Sequence, residues 1–148
     1  MVADDVERDL KPAAIDFTSG MGVLSDEQCI ELLATTPVGR LGFLADDTPL
    51  VLPVNFAWHE LGVVFRTLEG MKLAAAVERQ TVCFEIDDWD PDSRTGWSVL
   101  VKGRAREVTD WAEREALEQL GLVPWSQAKW RPIWVRLEPI EITGRVLR

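Results

Sequence analysis

Six stretches of this chain have the apolar or alternating pattern of β-strands, and they constrain the fold more than any other feature. The first two are separated by the turn residues Asp46, Asp47 and Thr48. The predicted strands span about 39–46, 49–59, 63–67, 81–88, 96–108 and 133–146. With three short helices and tight turns between them, they predict a mainly β fold, a six-stranded antiparallel β-barrel decorated by helices.

Three segments have the marks of short helices. Ser25 and Gln28 have the spacing of a capping box, which predicts a helix from residue 25 to about residue 35. Helix formers dominate residues 71–79, and Asp110 with Glu113 are spaced as a cap pair for a helix over 109–121. Residues 1–20 are polar and acidic and predict a flexible arm, which leaves 21–148 as the folded domain.

Composition and charge exclude several classes of function. The net charge of −9 argues against binding to nucleic acid or to an anionic membrane, since both need a basic face. No apolar run approaches the roughly 18 residues that a transmembrane helix needs, and the N-terminus lacks the apolar core of a signal peptide. We therefore expect a cytoplasmic protein in which Cys29 and Cys83 are buried free thiols.

A basic turn lies where a predicted strand meets a helix, in "VVFRTLEGMKLAAAVER" (63–79). Arg66, Thr67, Gly70 and Lys72 supply two cations, a hydroxyl and a flexible residue beside a helix N-terminus. Unpaired N–H groups and the helix dipole favour an anion at such a place. Taken alone, the stretch is typical of a solvated turn with ordinary polar residues, and phosphate binding is the alternative.

The order of motifs along the chain adds a family resemblance. The segments "PLVLPVNF", "VVFRT", "GMKLAAA", "VCFEID" and "GWSVLVKGRA" resemble the pyridoxamine 5′-phosphate oxidase-like group of FMN-binding split barrels. "LSDEQCIELLATTPVGRLGF" and "EITGRVLR" resemble its actinobacterial subgroup, so that the resemblance covers residues 23–148. It implies a homodimer with FMN at the subunit interface and a small-molecule substrate.

The resemblance also implies which residues hold the flavin. Arg66, Thr67 and Lys72 match the positions that bind the FMN phosphate. The strand residues expected along the isoalloxazine ring are Val54, Asn55 and Phe56. The segment expected to close the site from the other subunit is Trp97, Ser98 and Val99. Trp97 and Trp125 are candidates for contacts with the ring.

Two departures from the family pattern bear on the reaction. Met71 stands where family members often carry Ser, and the extended C-terminal substrate motif of true pyridoxamine-phosphate oxidases is missing. No acid–base constellation identifies catalytic residues, and none is required, because a flavin carries the hydride chemistry itself. The leading interpretation is an FMN-dependent oxidoreductase with an unidentified substrate.

Alternatives remain open at this level. A deazaflavin, F420, would need a basic channel for its anionic tail, and Lys102, Arg104 and Arg106 form the only visible basic stripe. A flavin or haem carrier, sensor or storage protein is the non-enzymatic alternative. No metal site is expected: "DDWDPDS" resembles a calcium loop, but Ser93 replaces its glycine. His59 is expected to be an exposed turn residue, with a haem ligand or general acid as the alternative.

Overall fold

The computed structural model describes residues 10–67, 71–78, 80–123 and 133–148, and for residues 71, 72 and 74 only the backbone. The described residues form eight strands and three helices. The strands are β1 (Ala14–Ile15), β2 (Gly22–Val23), β3 (Val38–Ala45), β4 (Thr48–His59), β5 (Gly62–Thr67), β6 (Thr81–Asp90), β7 (Thr95–Glu107) and β8 (Ile133–Leu147). The helices are α1 (Asp26–Thr35), α2 (Met71–Glu78) and α3 (Trp111–Glu118).

The six long strands pair in a ring. Their order is β8-β5-β4-β3-β6-β7, and β7 pairs again with β8, which closes the barrel. Every pairing is antiparallel. The predicted mainly β, antiparallel barrel is thus confirmed, while β1 and β2 are two further strands that the sequence analysis did not predict.

The pairing of β7 with β8 contains one irregularity. Lys102 pairs with Glu141 and Gly103 pairs with Pro139, which leaves Ile140 as an extra residue in β8. Such a bulge bends the strand and increases its twist. A Cβ atom added at Gly103 would lie 2.1 Å from the carbonyl oxygen of Glu138, so the two strands approach too closely here for any other residue.

The core lies inside the barrel and beneath α1. Alternate residues of each strand point inward, and the largest fully buried side chains include Phe65, Phe84 and Leu41. Helix α1 adds Leu32 and Leu33, both buried. Burying a side chain of this size contributes roughly 1.5–3 kcal/mol. The inward alternation of the strands is therefore the main source of the barrel's stability.

Helix α1 begins where the sequence predicts it. The backbone N–H of Gln28 donates to Ser25 Oγ over 3.2 Å, and the backbone N–H of Ser25 donates to Gln28 Oε1 over 2.9 Å. Both halves of the predicted capping box are formed. The start of α3 is capped in a similar way, since the N–H of Glu113 donates to Asp110 Oδ2 over 2.9 Å.

Residues 10–20, predicted as part of a flexible arm, lie on the barrel. β1 pairs with β2, and β2 pairs with β8. Leu10 is buried and its carbonyl accepts a hydrogen bond from Arg148. Arg145 lies 3.6 Å from a carboxylate oxygen of Asp16, whereas Phe17 is 97% exposed. Residues 1–9 lie outside the described part of the chain, and the division of the chain at residue 20 stays a prediction.

Both cysteines are unpaired thiols. Cys29 is buried as predicted, and its burial raises the pKa of the thiol to about 11. Cys83 is only half-buried, with its sulfur 3.6 Å from the carbonyl oxygen of Gly42. Among the described helices, none has the length and apolarity that crossing a membrane would require.

Candidate functional site

The end of β5 divides its side chains between two faces of the barrel wall. Val63 and Phe65 belong to the interior core, and Thr67, which follows the same alternation, is buried as well. Val64 belongs to a second cluster outside the barrel, together with Leu117 of α3 and Trp134 of β8. Arg66 follows Val64 on this outer face, so the two predicted phosphate-binding residues of β5 point in opposite directions.

Arg66 is held by an aromatic ring and a carboxylate. It pairs with Trp134 across β5 and β8, and its guanidinium carbon lies 5.1 Å from the centroid of the Trp134 ring. Its Nη2 lies 3.6 Å from Glu118 Oε1, the same oxygen that accepts a 2.8 Å hydrogen bond from Trp134 Nε1. Arg66 Nε is buried and has no hydrogen-bond partner among the residues that the structure describes.

Helix α2 begins four residues after Thr67. Leu73 and Val77 anchor it to the core, and its first turn contains no acidic residue. The unpaired N–H groups of that turn therefore face no competing carboxylate of their own helix. Lys72 lies in this first turn, as predicted, but its side chain is outside what the structure describes.

The predicted flavin-lining segment of β4 lies next to Arg66. Phe56 pairs with Phe65 of β5, and its ring meets that of Phe84 edge-on at 4.7 Å. Because Phe56 is a core side chain, only its backbone can face a ligand outside the barrel. Val54 packs partly against the core, whereas Asn55 lies on the opposite face by strand alternation.

The predicted closing segment lies at the other end of the long strand β8. Trp97 pairs with Val146, whereas Arg66 pairs with Trp134. Twelve residues of β8 separate these positions, about 40 Å of extended strand at roughly 3.3 Å per residue. Within one chain the predicted site residues therefore form two groups, one around Arg66 and one around Trp97. Trp125 lies outside the described residues.

A cleft of about 370 Å³ adjoins the second group, at the tip of the β6–β7 hairpin. Trp97 is mostly buried beside it and Trp89 is largely exposed, while Ser98 also lines it and Val99 is a core residue. The lining further includes Met21, Asp87, Asp88, Asp90, Pro91, Arg94, Thr95, Gly96 and Leu147. The cleft combines aromatic rings with several carboxylates.

Two carboxylates of this hairpin have partners within the protein. Asp90 accepts hydrogen bonds from the backbone N–H of Asp92 and from Ser93 Oγ, both at 2.9 Å, and the first of these is the main reason that its pKa is lowered. Asp87 is bound by Arg40 at 2.8 Å. Within the described parts of the chain no three potential ligand residues are grouped to hold a metal ion.

The basic stripe on β7 is partly neutralised by carboxylates. Lys102 lies 3.8 Å from a carboxylate oxygen of Glu141. Arg106 donates to both oxygens of Glu113 and, over 2.8 Å, to Glu138. Since two of its three cations have acidic partners, the stripe offers a weaker field for an anionic tail than its sequence indicates.

A buried arginine that was not among the predicted site residues lies beside this stripe. Arg136 of β8 is 5% exposed and donates to Glu113 Oε1 over 2.7 Å and to the carbonyl oxygen of His59 over 2.7 Å. Its Nη2 also lies 2.9 Å from His59 Nδ1. His59 is consequently half-buried, not the exposed turn residue that was expected. The hydrogen bonds from Arg106, and then those from Arg136, lower the pKa of Glu113.

Most of the chain matches a known protein family. Residues 25–146 match the pyridoxamine 5′-phosphate oxidase family. The chain belongs to that family. The resemblance inferred from the sequence motifs is thereby confirmed, and with it the split-barrel fold.

Relatives include proteins with and without an assigned ligand. The uncharacterized protein Rv0080 of Mycobacterium tuberculosis is 36% identical over 126 residues, which cover 82% of each chain. An FAD binding protein from Mycobacterium smegmatis, whose structure is known, is 40% identical in sequence. The match covers 85% of this chain and 98% of the M. smegmatis chain, and the two structures superpose with a TM-score of 0.74. A conserved protein of unknown function from Corynebacterium diphtheriae is 31% identical, with a TM-score of 0.73 and coverage of 86% and 98%.

Proposed function

We propose that this protein binds a flavin nucleotide through its phosphate, at the end of β5 and the start of α2. The observation that carries the proposal is Arg66, a half-buried cation next to a helix whose first turn contains no acidic residue. Its Nε–H is buried and has no partner among the described residues. A buried donor without a partner costs free energy, and a phosphate oxygen would remove that cost. Lys72 in the first turn would add a second cation.

FMN is the flavin that the family resemblance predicts, and FAD is a second candidate. The FAD binding protein of M. smegmatis, at 40% identity, supports FAD. Both ligands share the isoalloxazine ring and the ribityl phosphate, so the residues around Arg66 would serve either of them. When bound, a flavin supplies hydride chemistry, and the protein supplies its orientation and electrostatic surroundings.

We further propose a homodimer in which each site takes residues from both subunits. The separation of Trp97 from Arg66 along β8 supports this arrangement. Two residues so far apart in one chain can contact the same flavin if Arg66 comes from one subunit and Trp97 from its two-fold partner. In such a dimer Trp97, Ser98 and the backbone of Val99 of one subunit would cover the flavin held by β4 and β5 of the other. The cleft beside Trp97 would then adjoin the flavin and could admit a small substrate for an oxidoreductase reaction.

An absorption spectrum of freshly purified protein tests the proposal. The two-band spectrum of an oxidised flavin is expected, and bleaching of the visible band by a chemical reductant would show that the bound flavin is redox-active. Extraction followed by chromatography would identify FMN or FAD. A deazaflavin spectrum would replace flavin by F420, and a Soret band without flavin bands would contradict the proposal. If the protein is purified without cofactor, titration of FMN and FAD into it provides the same test.

A further inference from the structure

Glu118 occupies a position that helix electrostatics disfavours. It ends α3, and a carboxylate in the last turn faces the negative end of the helix dipole. No basic residue lies in that turn to compensate. Glu118 is nonetheless held by Trp134 Nε1 at 2.8 Å and lies 3.6 Å from Arg66 Nη2. Its surroundings orient the carboxylate towards the cation of the proposed phosphate site.

The effect of this carboxylate depends on the charge of the phosphate. The terminal monoester phosphate of FMN carries about −1.5 to −2 charges at neutral pH. Each phosphate of FAD has one ester and one anhydride linkage and therefore carries about one negative charge. Repulsion from Glu118 grows in proportion to that charge. A phosphate bound to Arg66 would also have to share the guanidinium with Glu118.

We propose that Glu118 is a specificity-determining residue that makes the site favour FAD over FMN. By compensating part of the Arg66 charge, it matches the site to a singly charged phosphate and disfavours a doubly charged one. This inference rests on the proposed flavin site. The side chain of Glu118 is 46% exposed, so solvent weakens its effect without removing it.

A purely structural role makes a different prediction. If Glu118 served only to orient Trp134 and Arg66, a substitution that keeps a hydrogen-bond acceptor would leave all ligand affinities unchanged. If its loss disordered the site, the affinities for FMN, FAD and riboflavin would fall together. Only the electrostatic role changes the ratio between FMN and FAD.

The test compares Glu118→Gln with wild-type protein freed of bound cofactor. Glutamine keeps an acceptor for Trp134 Nε1 and removes the charge. Dissociation constants for FMN, FAD and riboflavin are measured from the quenching of flavin fluorescence. We expect FMN binding to strengthen about tenfold, FAD binding by about threefold or less, and riboflavin binding to be unchanged. Glu115→Gln, an exposed carboxylate of the same helix, is the matched control and should leave all three constants unchanged.

The outcomes separate this inference from the proposed function. An FMN-to-FAD affinity ratio that is unchanged within about twofold in a protein that binds both would overturn the role of Glu118 alone. Failure of the wild-type protein to bind either flavin would overturn the proposed function and this inference with it. Glu118→Ala provides a second variant: it removes both charge and acceptor, and it must shift the ratio in the same direction.

Discussion

Arg136 donates hydrogen bonds to both the carbonyl oxygen and the ring nitrogen Nδ1 of His59, and so fastens the β4–β5 turn to β8. The same guanidinium binds Glu113 of α3 at 2.7 Å. One buried side chain therefore joins two strands and a helix beside the proposed phosphate site.

Replacement of Arg136 is expected to destabilise the fold strongly. Removing one partner of a buried ion pair costs about 3–5 kcal/mol. Arg136→Ala would remove the donor to the carbonyl oxygen and Nδ1 of His59 and would leave Glu113 with Arg106 alone. Arg136→Ala should lower the free energy of unfolding by that amount in urea denaturation. Arg104→Ala, at an exposed position of β7, should change it by no more than about 0.5 kcal/mol. A cost below about 1 kcal/mol for Arg136→Ala would mean that the network contributes little.

Lys72→Ala tests the second cation of the proposed clamp. A charge-assisted contact contributes roughly 1.5–3 kcal/mol, so the substitution should weaken FMN binding about tenfold to a hundredfold. Riboflavin lacks the phosphate and should bind the variant and the wild type equally. Lys102→Ala, on the outer stripe, is the control and should change neither affinity. Equal loss of FMN and riboflavin binding by Lys72→Ala would show that the lysine does not contact the phosphate.

The shared-site dimer can be tested by co-expressing two variants, each of which disables a different part of the flavin site. Lys72→Ala disables the phosphate side of a site, and Ser98→Glu places a charge in the segment proposed to cover the flavin. Each homodimer should bind FMN poorly. If the sites are shared, random pairing of co-expressed variants restores about a quarter of them, because each heterodimer has one intact site. If each site lay within one chain, no site would be restored.

Sedimentation of the unaltered protein provides the direct measurement for the dimer. We expect a dimer at micromolar concentration with an interface above about 2,000 Å², the size found for obligate dimers. A monomer under these conditions would contradict both the dimer and the shared site.

The buried thiol of Cys29 is expected to make the free energy of unfolding fall in alkaline solution. Burial raises the pKa of its thiol in the folded protein from 9.0 to about 11, so the unfolded chain loses this proton first as the pH rises. Its contribution is complete below pH 9 and is lost between about pH 9 and 11. Urea denaturation across that range should show a steeper loss of stability for wild type than for Cys29→Ala. The chain has no tyrosine to titrate in the same range, and parallel pH profiles would contradict the prediction.

Local sequence signals predicted most of the fold. The capping box at Ser25 and the turn at Asp46–Asp47 act over a few residues, so their sequence spacing is sufficient evidence. Strands β3 to β8 begin and end within about two residues of the predicted bounds. β1 and β2 are only two residues long and show no period, and their pairing depends on where β8 passes.

The site was predictable only in part, because its decisive contacts join distant segments. The sequence motifs pointed to Arg66 and to the helix start that follows it. Nothing in them placed Glu118 beside that arginine, since the contact requires α3 to dock against the outer face of β5 and β8. The roles of Arg136 and Trp134 likewise depend on the register of β8 against its neighbours.

The position of β8 also sets the order of events during synthesis. This strand pairs with β2, β5 and β7, all of which leave the ribosome before it. Until β8 emerges, β5 and β7 present open edges, and unpaired strand edges are prone to associate with other chains. Nascent chains stalled before residue 133 should therefore depend on chaperones more than chains that include β8.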